Sequence, residues 1–263
     1  MPVRTVVMPQ NGSLAKTALA KTTLANPEEV IQHDALVVLI GRAFKLAITA
    51  AQRSADLVLG AHTALQPIVA CERELDELDR GIDERVAVEV AQTTVEQVRE
   101  KLACLKCMID LERIGDLLLS FATRANAVRA RLDMQDLRDL GEMLSVLAKM
   151  LGDTECAFST RDHARALQVL RADREVDRLH NLIVMRHLEP ELAFGGPDSV
   201  HVITMAQAIE RAADHAKNTA EEVCHLVSGH TVRHLLRLRE KSAEQLYLEH
   251  LRRQHLTGRA TSE

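Results

Sequence analysis

An internal repeat is the feature of this sequence that most constrains its fold. The segment 173–179 matches 72–78 at a distance of 101 positions, and 209–214 matches 111–116 at a distance of 98. The two distances differ by three residues, which fits a length change in the loop between the matched segments. A repeat of this length contains one supersecondary unit. The sequence therefore predicts a chain built from two related units.

Both units are predicted to be helical. Between residues 36 and 57, apolar or small side chains recur at steps of four and three, a period typical of helices packed side by side. These residues are Leu36, Ile40, Ala43, Ala47, Ala50, Ser54 and Leu57. No stretch alternates polar and apolar residues over the length of a strand. The predicted fold class is all-α, with two tandem three-helix units in an elongated six-helix bundle and a C-terminal helical extension.

The chain divides into four predicted parts. They are a flexible N-terminal arm at 1–26, a first three-helix repeat at 27–132, a second at 133–230 and a charged extension at 231–263. Helix starts are predicted at Pro27, which follows Asn26, and at capping patterns further along the chain. The patterns are the capping boxes Thr93-x-x-Glu96 and Ser159-x-x-Asp162, for the third and fifth helices, and Asp133, for the fourth.

Composition excludes several classes of protein. The net charge of −5 is too small to indicate a nucleic-acid partner. The apolar stretches are expected to fall short of a membrane span, and the N-terminus lacks the apolar region of a signal peptide, so a cytoplasmic location is expected. The sequence also contains no P-loop, nucleophile elbow or dinucleotide fingerprint.

The five cysteines do not indicate a disulfide framework, because their number is odd. Cys104 and Cys107 form a C-x-x-C motif, which can also indicate a redox or zinc site. No second C-x-x-C accompanies it, and the surrounding pattern is helical. The motif is therefore interpreted as two small apolar side chains on the buried face of a helix.

Four pairs of carboxylates lie four residues apart, at corresponding places in the two units. They are Glu72 with Asp76, Glu112 with Asp116, Asp173 with Asp177, and Glu210 with Asp214. On a helix, each pair shares one face and is separated by about 6 Å along the axis. Like charges at this spacing repel, and a cation would reverse that cost. Carboxylates suit Mg²⁺, Mn²⁺, Ca²⁺ and iron clusters, so all eight residues are predicted metal ligands. Solvated acidic faces are the alternative.

Two further motifs bear on this prediction. Arg113 and Arg211 lie between the acids of their pairs and are expected to neutralise their own helix face. The alternative is that they bridge to acids on a neighbouring helix or contact a partner. Glu222 and His225 form an E-x-x-H motif, but ferritin-like di-iron proteins use two such motifs. A ferritin-like metal oxidase or iron-storage bundle is therefore the alternative function. His215 is the histidine expected closest to a site, because it follows Asp214.

These motifs resemble those of the PhoU family. The segment Lys106–Asp116 is similar to the PhoU signature, and the second unit agrees with it over about 209–234. The agreeing residues there are Ile209 to Arg211, Asp214 to Ala216, Asn218, Ala220 to Val223 and Val232 to His234. Asn218 is a further predicted contact at a site or partner surface. Its counterpart Ser120 departs from the family's common Asn, which predicts a weaker first site.

The resemblance implies a function as well as a fold. PhoU proteins regulate phosphate uptake and the phosphate-starvation response, and they carry metal clusters on paired acids of this kind. They are dimeric and cytoplasmic, and they contact the ATPase of the phosphate ABC transporter and a phosphate-sensing histidine kinase. The resemblance therefore implies a metal-binding adaptor rather than an enzyme.

Overall fold

The computed structural model describes residues 27–60, 65–90, 94–188 and 198–228. Over these ranges the chain forms six α-helices and one short 3₁₀ turn, without strands, which confirms the predicted fold class. The helices are α1 Pro27–Leu59, α2 Gln66–Glu89, α3 Val95–Val128, α4 Met134–Thr160, α5 His163–Leu188 and α6 Ser199–Ser228. The predicted arm at 1–26 and extension at 231–263 lie outside the described residues. The domain boundaries stay a prediction.

Helix starts follow local hydrogen bonding. The Asp133 carboxylate accepts from the backbone N–H groups of Gln135 and Asp136 at 2.8 Å, which confirms the predicted cap of α4. The capping box of α3 lies one residue later than predicted, because Thr94 exchanges hydrogen bonds with Gln97. Thr94 has the extended backbone of a cap residue, and its side chain accepts from the N–H that α3 leaves unpaired.

The start of α5 differs from the prediction. Ser159 lies inside α4, which continues to Thr160 and ends at Arg161 in the left-handed conformation, with φ of 57°. Asp162 then caps α5 by accepting from the N–H of Arg165 at 3.0 Å. Arg161 tolerates this backbone because its side chain lies over the Phe158 ring and forms an ion pair with Glu100.

Each half of the chain is a three-helix unit, and the two units share one core. Helices α1, α2 and α3 pack on one another, as do α4, α5 and α6. The units meet where α3 packs on α6 and α1 packs on α4, while α2 and α5 pack against helices of their own unit. Buried apolar side chains of all six helices form a single cluster. The two halves are therefore parts of one packed body.

Helices α3 and α6 run antiparallel across the centre of this body. In the polar pairs along their contact and just beyond its end, residue numbers increase on α3 and decrease on α6. The pairs are Lys106 with Glu222, Asp110 with His215, Arg124 with His201, and Arg131 with Asp198. Ile114 and Gly115 lie about midway along α3 between Lys106 and Arg124, and the acid pair Glu112 and Asp116 flanks them.

Residues Ala35–Leu59 of α1 are long and apolar enough, by length and composition alone, to cross a membrane. This corrects the sequence-based expectation that the apolar stretches are too short. In the structure, Leu36, Ile40 and Phe44 are fully buried in the shared core. This packing accounts for part of the apolar character of α1, because 39% of the apolar window is buried, and the core helix of a globular protein meets the same criterion.

Burial of Cys104 and Cys107 confirms that the C-x-x-C motif is part of the core. Their exposed fractions are 1% and 0%. Burial raises the pKa of the Cys104 thiol to about 12 and that of Cys107 well above its usual value. All five cysteines have free thiols. Neither thiol of the motif is therefore placed to act as a nucleophile or a metal ligand.

A buried polar network joins the ends of three helices in the second unit. The Asp136 carboxylate on α4 accepts from Arg186 at 2.7 Å and lies 2.9 Å from Nε2 of His187, both on α5. The other ring nitrogen of His187 lies 3.0 Å from the hydroxyl of Ser199, the first residue of α6. The network fixes the beginnings of α4 and α6 against the end of α5.

Candidate metal centre

The first acidic site lies in the groove between α2 and α3. Helix α2 buries Leu75 against α3, which turns Glu72 and Asp76 towards the edge of the contact. Gly115 lets the two helices approach closely at this level, because a Cβ at Gly115 would lie 2.7 Å from Cδ1 of Leu75 and 3.8 Å from Cα of Glu72. Asp116 is the next residue on α3 and faces the same groove.

Three of the predicted ligands converge here. Glu72, Asp76 and Asp116, which we call the first-half cluster, each offer one oxygen, and these oxygens all lie within 4.8 Å of one another. A cation bonded to oxygens at about 2.0–2.6 Å brings its ligands to this range of separations. Among the residues that the structure describes, this is the only group of three acidic, histidine or cysteine side chains brought so close.

Electrostatics in the groove favour a positive charge. Burial, Asp76 and Asp116 raise the pKa of Glu72. Carboxylates that repel one another in a half-buried groove take up either protons or a cation. Oxygen ligands without sulfur or imidazole match hard cations such as Mg²⁺, Mn²⁺ or Ca²⁺, and also iron. The donor set of the first-half cluster therefore fits the predicted metal.

Glu112 lies beside the first-half cluster. Burial and the Asp116 carboxylate raise its pKa, and the Arg113 guanidinium lowers it. Arg113 lies 3.5 Å from Glu112 and 3.4 Å from Asp116, so it contacts both acids of its own helix face. Both contacts are long, and the Arg113 side chain is more than half exposed. Arg113 therefore leaves most of the negative charge of the groove uncompensated.

Asp79 is an acidic residue of this groove that the sequence analysis missed. Burial, Asp83 and Asp76 raise its pKa, and Arg113 lowers it. Asp79 lies seven residues after Glu72, which is two helical turns along the same face of α2. A search for further acids one turn after Asp76, on the same face of α2, would have identified Asp79.

The second-half acids are Asp173 and Asp177 on α5 and Glu210 and Asp214 on α6. They also face one groove, since burial, followed by the charge of Asp173, raises the pKa of Asp177 to about 7, and Glu210 and Asp214 add smaller increments. Asp173 is buried and forms an ion pair with the ammonium group of Lys217. Sequence analysis missed Lys217, which lies three residues after Asp214 on the same face of α6.

The remaining predicted residues, Arg211 and Asn218, both lie on α6. Arg211 is exposed and lowers the pKa of Glu210. Asn218 and His215 both contact Asp110 across the α3–α6 contact, with Nδ2 of Asn218 at 3.5 Å and Nδ1 of His215 at 2.7 Å. Asn218 therefore lies at the contact between the two halves, while Ser120 is exposed. The weaker first site stays a prediction.

The E-x-x-H motif is part of the same contact between α3 and α6. Glu222 is 4% exposed and accepts a hydrogen bond from Lys106 at 3.0 Å, while Nδ1 of His225 lies 3.7 Å from the same carboxylate. A ferritin-like centre needs this carboxylate to face other ligands inside a four-helix bundle. Glu222 instead neutralises a lysine, which disfavours the alternative function.

Comparison with known proteins places these features in one family. The family model of the PhoU domain matches the chain twice, at residues 40–125 and 140–223. A phosphate-specific transport system accessory protein PhoU homolog from Pseudomonas aeruginosa is 30% identical over 189 residues, which cover 67% of this chain and 76% of that protein.

Solved structures agree with this result. The crystal structure of PhoU from Pseudomonas aeruginosa superposes with a TM-score of 0.59 at 28% identity and covers 77% of this chain and 97% of that one. The phosphate transport system regulatory protein PhoU from Streptococcus pneumoniae has a TM-score of 0.66 at 19% identity, over 77% of this chain and 98% of that one. At this identity, the match to the Streptococcus pneumoniae structure shows only that the fold is shared.

Proposed function

The chain belongs to the PhoU family, and on that premise we propose that it is an accessory regulator of phosphate transport. The observation that supports this best is the match of both halves to the PhoU domain, because the relatives that carry this domain name are described as regulatory or accessory proteins of phosphate transport. The proposed role is that of an adaptor in the cytoplasm that represses the phosphate-starvation response. It is not an enzyme.

The proposed partners are the ATPase subunit of a phosphate ABC transporter and a phosphate-sensing histidine kinase. A rigid body that presents acidic grooves on both units suits an adaptor, because partner surfaces can be recognised without rearrangement of the core. The adaptor is expected to act as a homodimer. Neither nucleic acid nor a membrane span is part of the proposal.

The proposed cofactor is a divalent or iron-type cation at the first-half cluster. Glu72, Asp76 and Asp116 would hold it, with Glu112 and Asp79 adding negative charge nearby. A bound cation would offset the repulsion between these carboxylates and fix α2 against α3 at their shared groove. Cation binding by the second-half acids was predicted from the sequence alone and is not part of this proposal.

Metal binding is tested by removing charge without changing shape. The double variant D76N/D116N is purified without chelator and titrated with Mn²⁺ by calorimetry. We expect its affinity for Mn²⁺ to be at least tenfold lower than that of the natural protein. Glu84→Gln on the exposed face of α2 is the matched control and should bind like the natural protein. Equal Mn²⁺ binding by the double variant and the control would remove this site assignment.

Partner binding is tested with purified components. We expect the full chain to bind the transporter ATPase or the cytoplasmic part of the histidine kinase at micromolar concentration in surface plasmon resonance. Light scattering should give the mass of two chains. Absence of binding to both partners, with metal-loaded and with metal-free protein, would contradict the proposed role. Fe²⁺ oxidation with turnover would instead support the ferritin-like alternative.

A further inference from the structure

Lys217 brings a built-in positive charge to the second-half acids. Its ammonium group forms an ion pair with Oδ2 of Asp173, and the exposed fractions of the two residues are 8% and 2%. The charge of Lys217 also acts on Asp177 and Glu210, and in both cases it opposes the repulsion from the other carboxylates. The groove between α5 and α6 therefore contains a cation that belongs to the chain.

The first half lacks this charge. The repeat distance of 98 positions places Leu119 of α3 at the position of Lys217, and Glu72 lies 101 positions before Asp173. Leu119 is a partly buried apolar residue that packs against the core. The groove between α2 and α3 thus has matching acids but an alkyl side chain where the second half has an ammonium group.

We infer that Lys217 takes, in the second half, the place that a metal ion takes in the proposed first-half site, so that the chain binds metal at one of its two acidic grooves. This inference rests on the proposed function. A metal at Asp173 would have to displace a buried ammonium group and leave it without its partner carboxylate, which is strongly unfavourable. The close grouping of three oxygens in the first half alone, among the described residues, agrees with this difference.

The test uses a background in which the first-half cluster is neutralised by the substitutions E72Q, D76N and D116N. In that background we expect no Mn²⁺ binding by calorimetry or electron paramagnetic resonance. Adding K217L, the residue that the first half has at this position, should restore binding of Mn²⁺ with at least a tenfold gain in affinity. A further D177N substitution should abolish it again. K149L, which removes an exposed lysine paired with Asp153, is the matched control and should restore nothing.

Several results would overturn the inference. One is that the neutralised background, which still contains Lys217, binds Mn²⁺ and that D177N abolishes this binding. Another is a folded K217L variant, as judged by circular dichroism, that gains no Mn²⁺. If K217L does not fold, K217Q keeps much of the side-chain length without the charge, and the same gain is expected of it. The reciprocal substitution L119K in the natural protein should lower Mn²⁺ affinity at least tenfold, and unchanged affinity would count against the inference.

The design separates this inference from the proposed function. If D76N/D116N leaves metal binding of the natural protein unchanged, the assignment of the first-half cluster fails. The Mn²⁺ binding that K217L is expected to create lies at the second-half acids, so it is tested whether or not the first-half assignment holds. Mn²⁺ alone is the probe throughout.

Discussion

At the scale of single residues, the charged groups of this protein fall into two kinds. Some buried carboxylates are paired with partly buried cations, as Asp136 is with Arg186, and these fix the ends of helices. Others, such as Asp177 and Glu72, face further carboxylates and have raised pKa values. Burial raises the pKa of Asp136 as well, but His187 and Arg186 lower it and oppose that cost, whereas the second kind makes a local site unfavourable until a proton or a cation arrives.

Asp177 should make stability depend on pH. Its pKa in the folded chain is about 7, mainly through burial and next through Asp173, against about 4 in the unfolded chain. Between these values the folded state holds the extra proton, so the free energy of unfolding falls as pH rises from 4 to 7. We expect D177N, measured by urea unfolding with chelator present, to be more stable than the natural protein at pH 8 by about 1 kcal/mol after solvent screening. The two proteins should converge near pH 4, and an unchanged difference across this range would contradict the assignment.

Asp136 should be costly to remove. Among the described residues, Asp136→Ala leaves Arg186 paired with Asp139 and leaves the buried His187 in contact with the Ser199 hydroxyl. We expect a loss of about 3 kcal/mol in the free energy of unfolding, because a buried charged network loses its central acceptor. Asp153→Ala is the control, since its partners Lys149 and Arg165 are exposed, and should cost less than about 1 kcal/mol. Equal losses in the two variants would show that the network is not stabilising.

At the scale of helices, periodicity predicted the existence and order of the elements, but caps limited the accuracy of their bounds. Asp133 was identified correctly because no competing cap residue adjoins it. Thr93 and Thr94 are neighbours, and the choice between them depends on which Thr adopts extended backbone and faces Gln97. Ser159 was misplaced because Arg161 takes a left-handed conformation that a non-glycine residue rarely adopts.

Gly115 sets the distance between α2 and α3. A Cβ there would lie 2.7 Å from the buried Leu75, so Gly115→Val should strain the contact and cost about 1–3 kcal/mol in the free energy of unfolding. It should also weaken Mn²⁺ binding, because the strain separates Glu72 from Asp116. Gly152→Ala is the control: it lies in α4, where the added Cβ would meet no described atom within 4 Å apart from the backbone of its own helix turn, and it should stabilise by up to about 1 kcal/mol. Unaltered stability and Mn²⁺ affinity in Gly115→Val would show that the close approach is not required.

At the scale of the whole molecule, the repeat predicted two matching grooves and could not predict their difference. The acid pairs are visible in the sequence because their spacing is that of a helix face. Lys217 is equally visible, but its role depends on an ion pair with Asp173, which lies 44 positions earlier on another helix. The positions of Asn218 and His215 were likewise undetermined, because only the antiparallel crossing of α3 and α6 brings them to Asp110.

The shared core should make both halves unfold together. Phe158 on α4 packs against Phe44 on α1, with 6.2 Å between ring centroids, and both are fully buried at the contact between the halves. Phe158→Ala should cost about 3–5 kcal/mol. We expect hydrogen exchange, followed by mass spectrometry, to show equal loss of protection for peptides of α2 and α5, although neither helix contains the substitution. Val88→Ala, at an exposed position of α2, should leave both unchanged. If α5 lost protection while α2 kept it, the halves would be independent folding units, and a metal bound between α2 and α3 would have no route through the core to surfaces of the second half.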